Sequence, residues 1–116
     1  MRIALAQTNP RIADFTAIRA SLLGRLAESR AAGADLVVFP ELSTLGYPPR
    51  DLLLRAAVVE ANLRLRDEIA SAACGPAVIL GFASRHTGVG RPLFNAAAFC
   101  EGGALRAEVH KRLLPT

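Results

Sequence analysis

Lysine is nearly absent from this chain: of its 14 basic residues, Lys111 is the only lysine and the other 13 are arginine. A primary ammonium on a flexible stem can serve as a compact or pKa-shifted charge where a guanidinium cannot, so this one position stands out before any pattern is read. Aromatic residues are scarce as well, at 5%. The formal net charge of +4 comes from residues scattered among acids, and without basic runs or interleaved aromatics it argues against a nucleic-acid partner. The two cysteines, Cys74 and Cys100, show no CxxC or Cys/His spacing, so neither a disulfide framework nor a zinc site is suggested and no metal is implied. No window approaches the ~18 consecutive apolar residues of a membrane span. Met1-Arg2-Ile3 leads into a strand-like stretch and not into the apolar core of a signal peptide, so a cytoplasmic location without a membrane partner is expected. What remains is ordinary for one globular domain: 116 residues, 52% hydrophobic and 21% charged, with no repeat or low-complexity tract.

Residues 2–8 alternate weakly and run into Asn9-Pro10, which predicts a strand closed by a turn. Asp14 is placed to cap a helix. From Phe15 to about Ala32 the apolar Ile18, Leu22, Leu23 and Leu26 recur at helical spacing until Gly33 supplies a stop. Residues 34–39 form a short, nearly all-apolar run, the pattern of a parallel strand covered on both faces. Pro40 ends it, and Glu41 to Asp51, carrying Gly46, Pro48 and Pro49, predicts a shaped loop. Helical character returns from Leu52 to about Ala73, broken near Ala56, with Val59, Leu63 and Ile69 facing inward and Gly75-Pro76 at its end. Ala77 to Ser84 reads as another apolar strand and 85–92 as a loop. Leu93–Cys100 and Ala104–His110 then read as a hairpin about the three-residue turn Glu101-Gly102-Gly103. This order argues an α/β fold with a mixed sheet, parallel at first and ending in an antiparallel C-terminal hairpin.

Open α/β sheets place ligands beyond the carboxyl ends of their strands. Glu41 falls just past one such end and Lys111 just past another. Singly, each has a plainer reading, a solvated loop carboxylate and a surface lysine. Together, a carboxylate and an ammonium could act as proton acceptor and oxyanion stabiliser in acyl transfer. His110 is expected to be a strand-end side chain and His86 a loop histidine. Gly88-Val89-Gly90 lacks the Lys and the helix of a phosphate loop. Arg50-Asp51 can form a local ion pair and helix cap.

Three segments carry a family resemblance: Phe39-Pro40-Glu41-Leu42, then Gly46-Tyr47-Pro48-Pro49-Arg50-Asp51-Leu52-Leu53, then His110-Lys111-Arg112-Leu113-Leu114-Pro115. In this order they resemble the nitrilase/amidase, or carbon–nitrogen hydrolase, superfamily. Met1 to Asn9, residues 31–38 and Asn95-Ala96-Ala97 fit it too. The Gly-Tyr-Pro-Pro-Arg-Asp-Leu-Leu loop is similar to that of the glutaminase domains of glutamine-dependent NAD synthetases.

The resemblance implies an αββα sandwich, of which this chain is expected to be the N-terminal part. It also implies a Glu-Lys-Cys triad with Glu41 as general base, Lys111 as the oxyanion-stabilising ammonium and Tyr47 near the glutamine pocket. The implied substrate is glutamine, hydrolysed to supply ammonia for amidation of nicotinic acid adenine dinucleotide to NAD. ATP belongs to a separate synthetase domain, so no cofactor is expected for this chain, and the intact parent is expected to be a homo-oligomer in which Arg50-Asp51 helps meet a neighbouring subunit. The family's cysteine follows its lysine by some tens of residues, which makes residues 1–116 a single incomplete domain, truncated before the nucleophile, inactive alone and prone to aggregate. Neither cysteine present is a substitute. Cys100, expected opposite about Ala104, would lie ~23 Å from Lys111 along the hairpin at ~3.3 Å per residue, and Cys74 sits near a helix C-terminus whose dipole opposes a thiolate. Both are expected to be structural small hydrophobes. The rival readings are a stand-alone amidase of the ω-amidase or carbamoylase type and a non-catalytic assembly module.

Overall fold

The computed structural model describes residues 1–47, 55–85 and 93–111. Five strands and two helices follow one another as β1 (Ile3–Leu5), α1 (Phe15–Ala31), β2 (Leu36–Val38), α2 (Ala56–Ala72), β3 (Ala77–Arg85), β4 (Leu93–Glu101) and β5 (Ala104–His110). They form one sheet in the order β1-β2-β3-β4-β5. The first two pairings are parallel and the last two antiparallel, as the expected mixed sheet requires. Strands β1, β2, β3 and β5 therefore point the same way, and their carboxyl ends share one edge.

The Asp14 carboxylate accepts the Ala17 N–H at 3.2 Å and caps α1. Ile18, Leu22 and Leu26, four residues apart, are buried on its inner stripe. Gly33, at φ 77°, lets the chain turn back into β2. Helix α2 begins at Ala56; residues 52–54, which the sequence adds to it, lie outside the described residues, as do Arg50-Asp51, His86 and the Gly88-Val89-Gly90 loop. Its inner face is Val59, Asn62, Leu65, Ile69 and Ala70. Leu63, expected in that stripe, is only half-buried, because a polar residue, Asn62, holds the inward position.

Both helices cover the same face of the sheet, closing a core with Val37, Phe39, Val78, Leu80, Phe82, Ala96, Ala98 and Cys100. The alternate residues of each strand form the other face; among the described residues no helix covers it, and the segment after β2 crosses it only at Gly81 and Ala83. Ile3 is 52% and Leu5 72% exposed there. The run 34–39 is thus covered on one face only: Val37 is fully buried, while Leu36 and Val38 are half-buried. Strand β1 is shorter than residues 2–8, since parallel pairing lasts only from Ile3 to Leu5. The hairpin turn has two residues, not three. Glu101 pairs with Ala104, and Gly102 and Gly103, at φ 63° and 78°, supply the two left-handed positions that a tight hairpin prefers.

Candidate active site

The strand end at β2 is shaped by a close backbone approach. A methyl group at Gly81 of β3 would run into the Pro40 carbonyl oxygen and stand 2.6 Å from Leu42 N, so only glycine lets the chain after β2 cross over β3 here. The Gly81 carbonyl then holds that chain, accepting from Ser43 Oγ at 3.0 Å and from Thr44 N–H at 3.2 Å. Leu42 adopts φ 48°, an uncommon value for a side-chain-bearing residue, and the turn closes with Gly46 N–H on the Leu42 carbonyl at 2.8 Å. Leu42 and Leu45 are buried against Ala83. Beneath them Asn62 is fully buried and fully bonded: its Oδ1 accepts from Thr44 Oγ1 (2.6 Å) and Ala83 N–H (3.0 Å), and its Nδ2 donates to the Ala83 and Val59 carbonyls (2.8 and 3.2 Å). The loop from Glu41 to Gly46 is a pinned structure with one carboxylate on its rim.

Lys111 arrives from the other side. The register pairs Ala96 with His110 and Ala97 with Val109, and the Lys111 N–H continues the ladder to the Asn95 carbonyl at 2.8 Å. Strand alternation sends His110 and Lys111 to opposite faces. His110 lies on the helix side, its Nε2 2.6 Å from Glu108 Oε2, so it does not enter the cleft. Glu108 also accepts from Ser84 Oγ at 2.8 Å and faces Arg66 of α2 at 3.6 Å. Burial pushes the Glu108 carboxyl up, but the His110 and Ser84 hydrogen bonds and the neighbouring His110 and Arg66 charges outweigh it and hold the group below its ordinary value.

On the open face Lys111 Nζ stands 3.2 Å from Glu41 Oε1, although the two residues are 70 apart in sequence. Asn95 Nδ2 donates to the same oxygen. These three rim a cleft of about 330 Å³ whose floor includes Ile79, Gly81, Ala97 and Val109. Tyr47, at the end of the pinned loop, is 64% exposed and is not among the residues lining this cleft. Neither cysteine reaches it. Cys100 pairs with Leu105, not Ala104, which puts it five residues from Asn95 along β4, ~17 Å at ~3.3 Å per residue. It is fully buried on the helix face, and burial, partly offset by Arg66 and reinforced by Asp67, raises its thiol above the ordinary value. Cys74 is exposed and not a packed hydrophobe; its Sγ meets the Ser71 carbonyl at 3.7 Å.

Two contributors to this site escape a motif reading. A lone glycine inside an apolar strand is a recognised sign of close backbone approach, so Gly81 was accessible to sequence reasoning. Asn95 stood within a matching motif without a role, because its partners come from 54 residues before it and from the strand after it.

The carbon–nitrogen hydrolase family model matches residues 2–116. Among curated proteins, the chain is similar to the glutamine-dependent NAD(+) synthetase of Synechocystis sp., with 36% identity over 122 residues that cover 98% of this chain and 21% of that protein. It spans about a fifth of the length of the curated relatives it matches. A glutamine-dependent NAD(+) synthetase from Cytophaga hutchinsonii superposes with a TM-score of 0.90 at 27% identity, over 99% of this chain and 19% of that one. An amidase from Nesterenkonia sp. superposes with a TM-score of 0.78 at 27% identity, over 100% of this chain and 44% of that one. A variant of that amidase carries the acetamide moiety of fluoroacetamide added covalently at its active site cysteine.

Proposed function

We propose, from the premise that the chain belongs to the carbon–nitrogen hydrolase family, that it supplies the general base and the oxyanion-stabilising cation of a glutaminase site serving NAD synthesis. The observation that carries this is the meeting of Glu41 and Lys111 at 3.2 Å over a cleft on the open face of the sheet. The nucleophile is a cysteine thiol from polypeptide other than residues 1–116, which form one incomplete domain. Glu41 takes the thiol proton as sulfur attacks the side-chain carboxamide carbon of glutamine. Lys111 Nζ holds the oxygen that becomes negative. Glu41 then returns the proton to the departing nitrogen, ammonia leaves, and a γ-glutamyl thioester remains. Water gives a proton to Glu41 and attacks the thioester carbon, and the thiolate leaves and regains that proton, so glutamine and water become glutamate and ammonia. In the same proposal Tyr47, at the end of the pinned loop, stands near the glutamine pocket and outside the lining of the cleft itself. The completed protein works in the cytoplasm and assembles with copies of itself, which light scattering of the purified protein checks.

The test uses this chain joined to the remaining part of the Synechocystis relative, which brings the missing portion of the domain. Glu41→Gln keeps the shape but cannot accept a proton, and ammonia release from glutamine should fall at least ~10²-fold. Lys111→Arg keeps the charge but spreads it over a wider plane, and a similar loss is expected. Tyr47→Phe should raise KM for glutamine more than it lowers kcat. Retention of most activity in Glu41→Gln would refute the reading. An amidase reading predicts faster turnover of small aliphatic amides than of glutamine in the same assay; the higher TM-score of the synthetase neighbour favours glutamine.

A further inference from the structure

We infer that Asn95 is a positioning residue for this site, holding one oxygen of Glu41 so that the other is presented as the base, and tying Glu41 and Lys111 into a single unit. The inference rests on the catalytic reading of Glu41 and Lys111. Asn95 lies on β4 beside Ala83 of β3, and its two halves act on different partners. Its backbone carbonyl accepts the Lys111 N–H at 2.8 Å, the last rung that fixes where the lysine leaves the sheet. Its side-chain Nδ2 donates to Glu41 Oε1, the oxygen that also faces Lys111 Nζ. Among the described residues Oε2 has no donor, so the two donors converge on one oxygen and leave the other to receive a proton.

The orientation of the amide is set by chemistry. Turned over, Asn95 would place its own acceptor oxygen against a carboxylate. A neutral donor has a further consequence for Lys111. An ammonium has three N–H donors and needs only one for Glu41. With Asn95 also holding the carboxylate, Lys111 can turn toward a developing oxyanion without releasing Glu41 from its place. An aspartate here would repel Glu41, and an apolar residue of the same size would leave the carboxylate steered by Lys111 alone.

The hydrogen bond can be read on the chain itself, independently of any turnover. The sequence has only three asparagines, Asn9, Asn62 and Asn95, and one glutamine, Gln7, so the side-chain NH₂ region of a ¹⁵N-correlated NMR spectrum is sparse enough to assign with Asn95→Leu. One Asn95 amide proton should lie downfield, and Glu41→Ala should return it toward the free position. The Asn62 pair, bonded inside the core, should stay where it is in that variant. In the completed enzyme Asn95→Leu should lower kcat about tenfold or more with KM for glutamine within about twofold, the loss of a charge-assisted hydrogen bond felt in the transition state. Asn95→Asp should lower kcat further, with a thermal melt near that of Asn95→Leu. An Asn95 amide pair indifferent to Glu41→Ala overturns the inference even where Glu41→Gln abolishes hydrolysis. An Asn95→Leu enzyme that melts like its parent and keeps its kcat overturns it as well. Hydrolysis untouched by Glu41→Gln overturns the catalytic reading itself, and the role of Asn95 with it.

Discussion

Replacing Gly81 by alanine adds one methyl group and should disrupt the placement of Glu41. The new carbon would meet the Pro40 carbonyl oxygen, stand 2.6 Å from Leu42 N and lie 2.9 Å from Glu41 Cα. Ordinary carbon contacts begin at ~3.5 Å, so the segment from Pro40 to Leu42 must lift by roughly 1 Å. All three obstructing atoms are backbone, and no side-chain rotation relieves them. Lifting the segment also strains the Ser43 and Thr44 hydrogen bonds to the Gly81 carbonyl, each worth about 1 kcal/mol. Overpacking of ~1–3 kcal/mol together with these bonds gives an expected loss of about 3 kcal/mol. For a chain of this length that lowers Tm by about 10 °C or more. Gly24 is the internal control. It lies within helix α1 with nothing within 4 Å of an added methyl, so Gly24→Ala should stabilise by about 0.5–1 kcal/mol through helix propensity alone. Both variants are compared with the parent by thermal and urea unfolding followed by circular dichroism. In the completed enzyme the lifted carboxylate should cost about 10²-fold in glutamine hydrolysis. A Gly81→Ala chain that melts with its parent while Gly24→Ala shows its expected gain would refute the close-approach argument.

Glu108 should make the fold sensitive to acid. Its carboxyl is held below the ordinary value in the folded chain, so its contribution is fully present above the unfolded pKa and is lost as pH falls through the lower folded value. Urea midpoints should show Glu108→Gln less stable than the parent at pH 7, by about 1 kcal/mol, with the gap closing below about pH 4; a gap that widens in acid would contradict the assignment. The cysteines should separate cleanly under a thiol reagent. Cys74 is exposed and should react at once, whereas Cys100, fully buried and with its thiol raised by burial, should react only after denaturant opens the core; rapid native labelling of both would show that the helix face is not closed.

Elements whose information is local were legible in the sequence. The Asp14 cap, the Ile18, Leu22, Leu26 stripe and the Gly33 stop all act within a few residues of one another, and the structure reproduces α1 to within a residue. The mixed order of the sheet followed from the alternation of strand and helix and from the hairpin glycines. What was not legible depends on partners distant in sequence. Strand alternation separates His110 from Lys111, but which of the two faces the helices follows only from the register of β5 on β4. Asn62 looks like a surface residue on a helix until Thr44 and the backbone of Ala83 are brought against it. The coverage of β2, buried at Val37 and half-buried at Leu36 and Val38, is not legible for a related reason. An all-apolar run reports that both faces avoid water in some state of the protein, but not which neighbouring segment supplies the cover.

That open face bears directly on the chemistry of the cleft. The floor residues Ile79, Gly81, Ala97 and Val109 belong to it, and the same side of the sheet carries Ile3, Leu5 and Phe99, so the cleft is one end of a continuous apolar surface. With Lys111 63% and Glu41 42% exposed in their side chains, water screens their attraction, and the pair contributes at most about 1 kcal/mol to holding the loop against the sheet. The loop is held instead by Gly81, Thr44 and Asn62. Because the carboxylate is held by its backbone and by Asn95, the ion pair can open without unfolding anything, which is what the proposed roles of Glu41 and Lys111 require. The opposite holds for strength. A unit charge 4 Å from another interacts several-fold more strongly at an effective dielectric of ~20 than in water, so on the proposed reading Lys111 would act on a developing oxyanion most strongly with water displaced from this face. Exposed, the ion pair is weak; on the proposed reading, covering this apolar face would strengthen it, and burial of the sheet would supply the driving force.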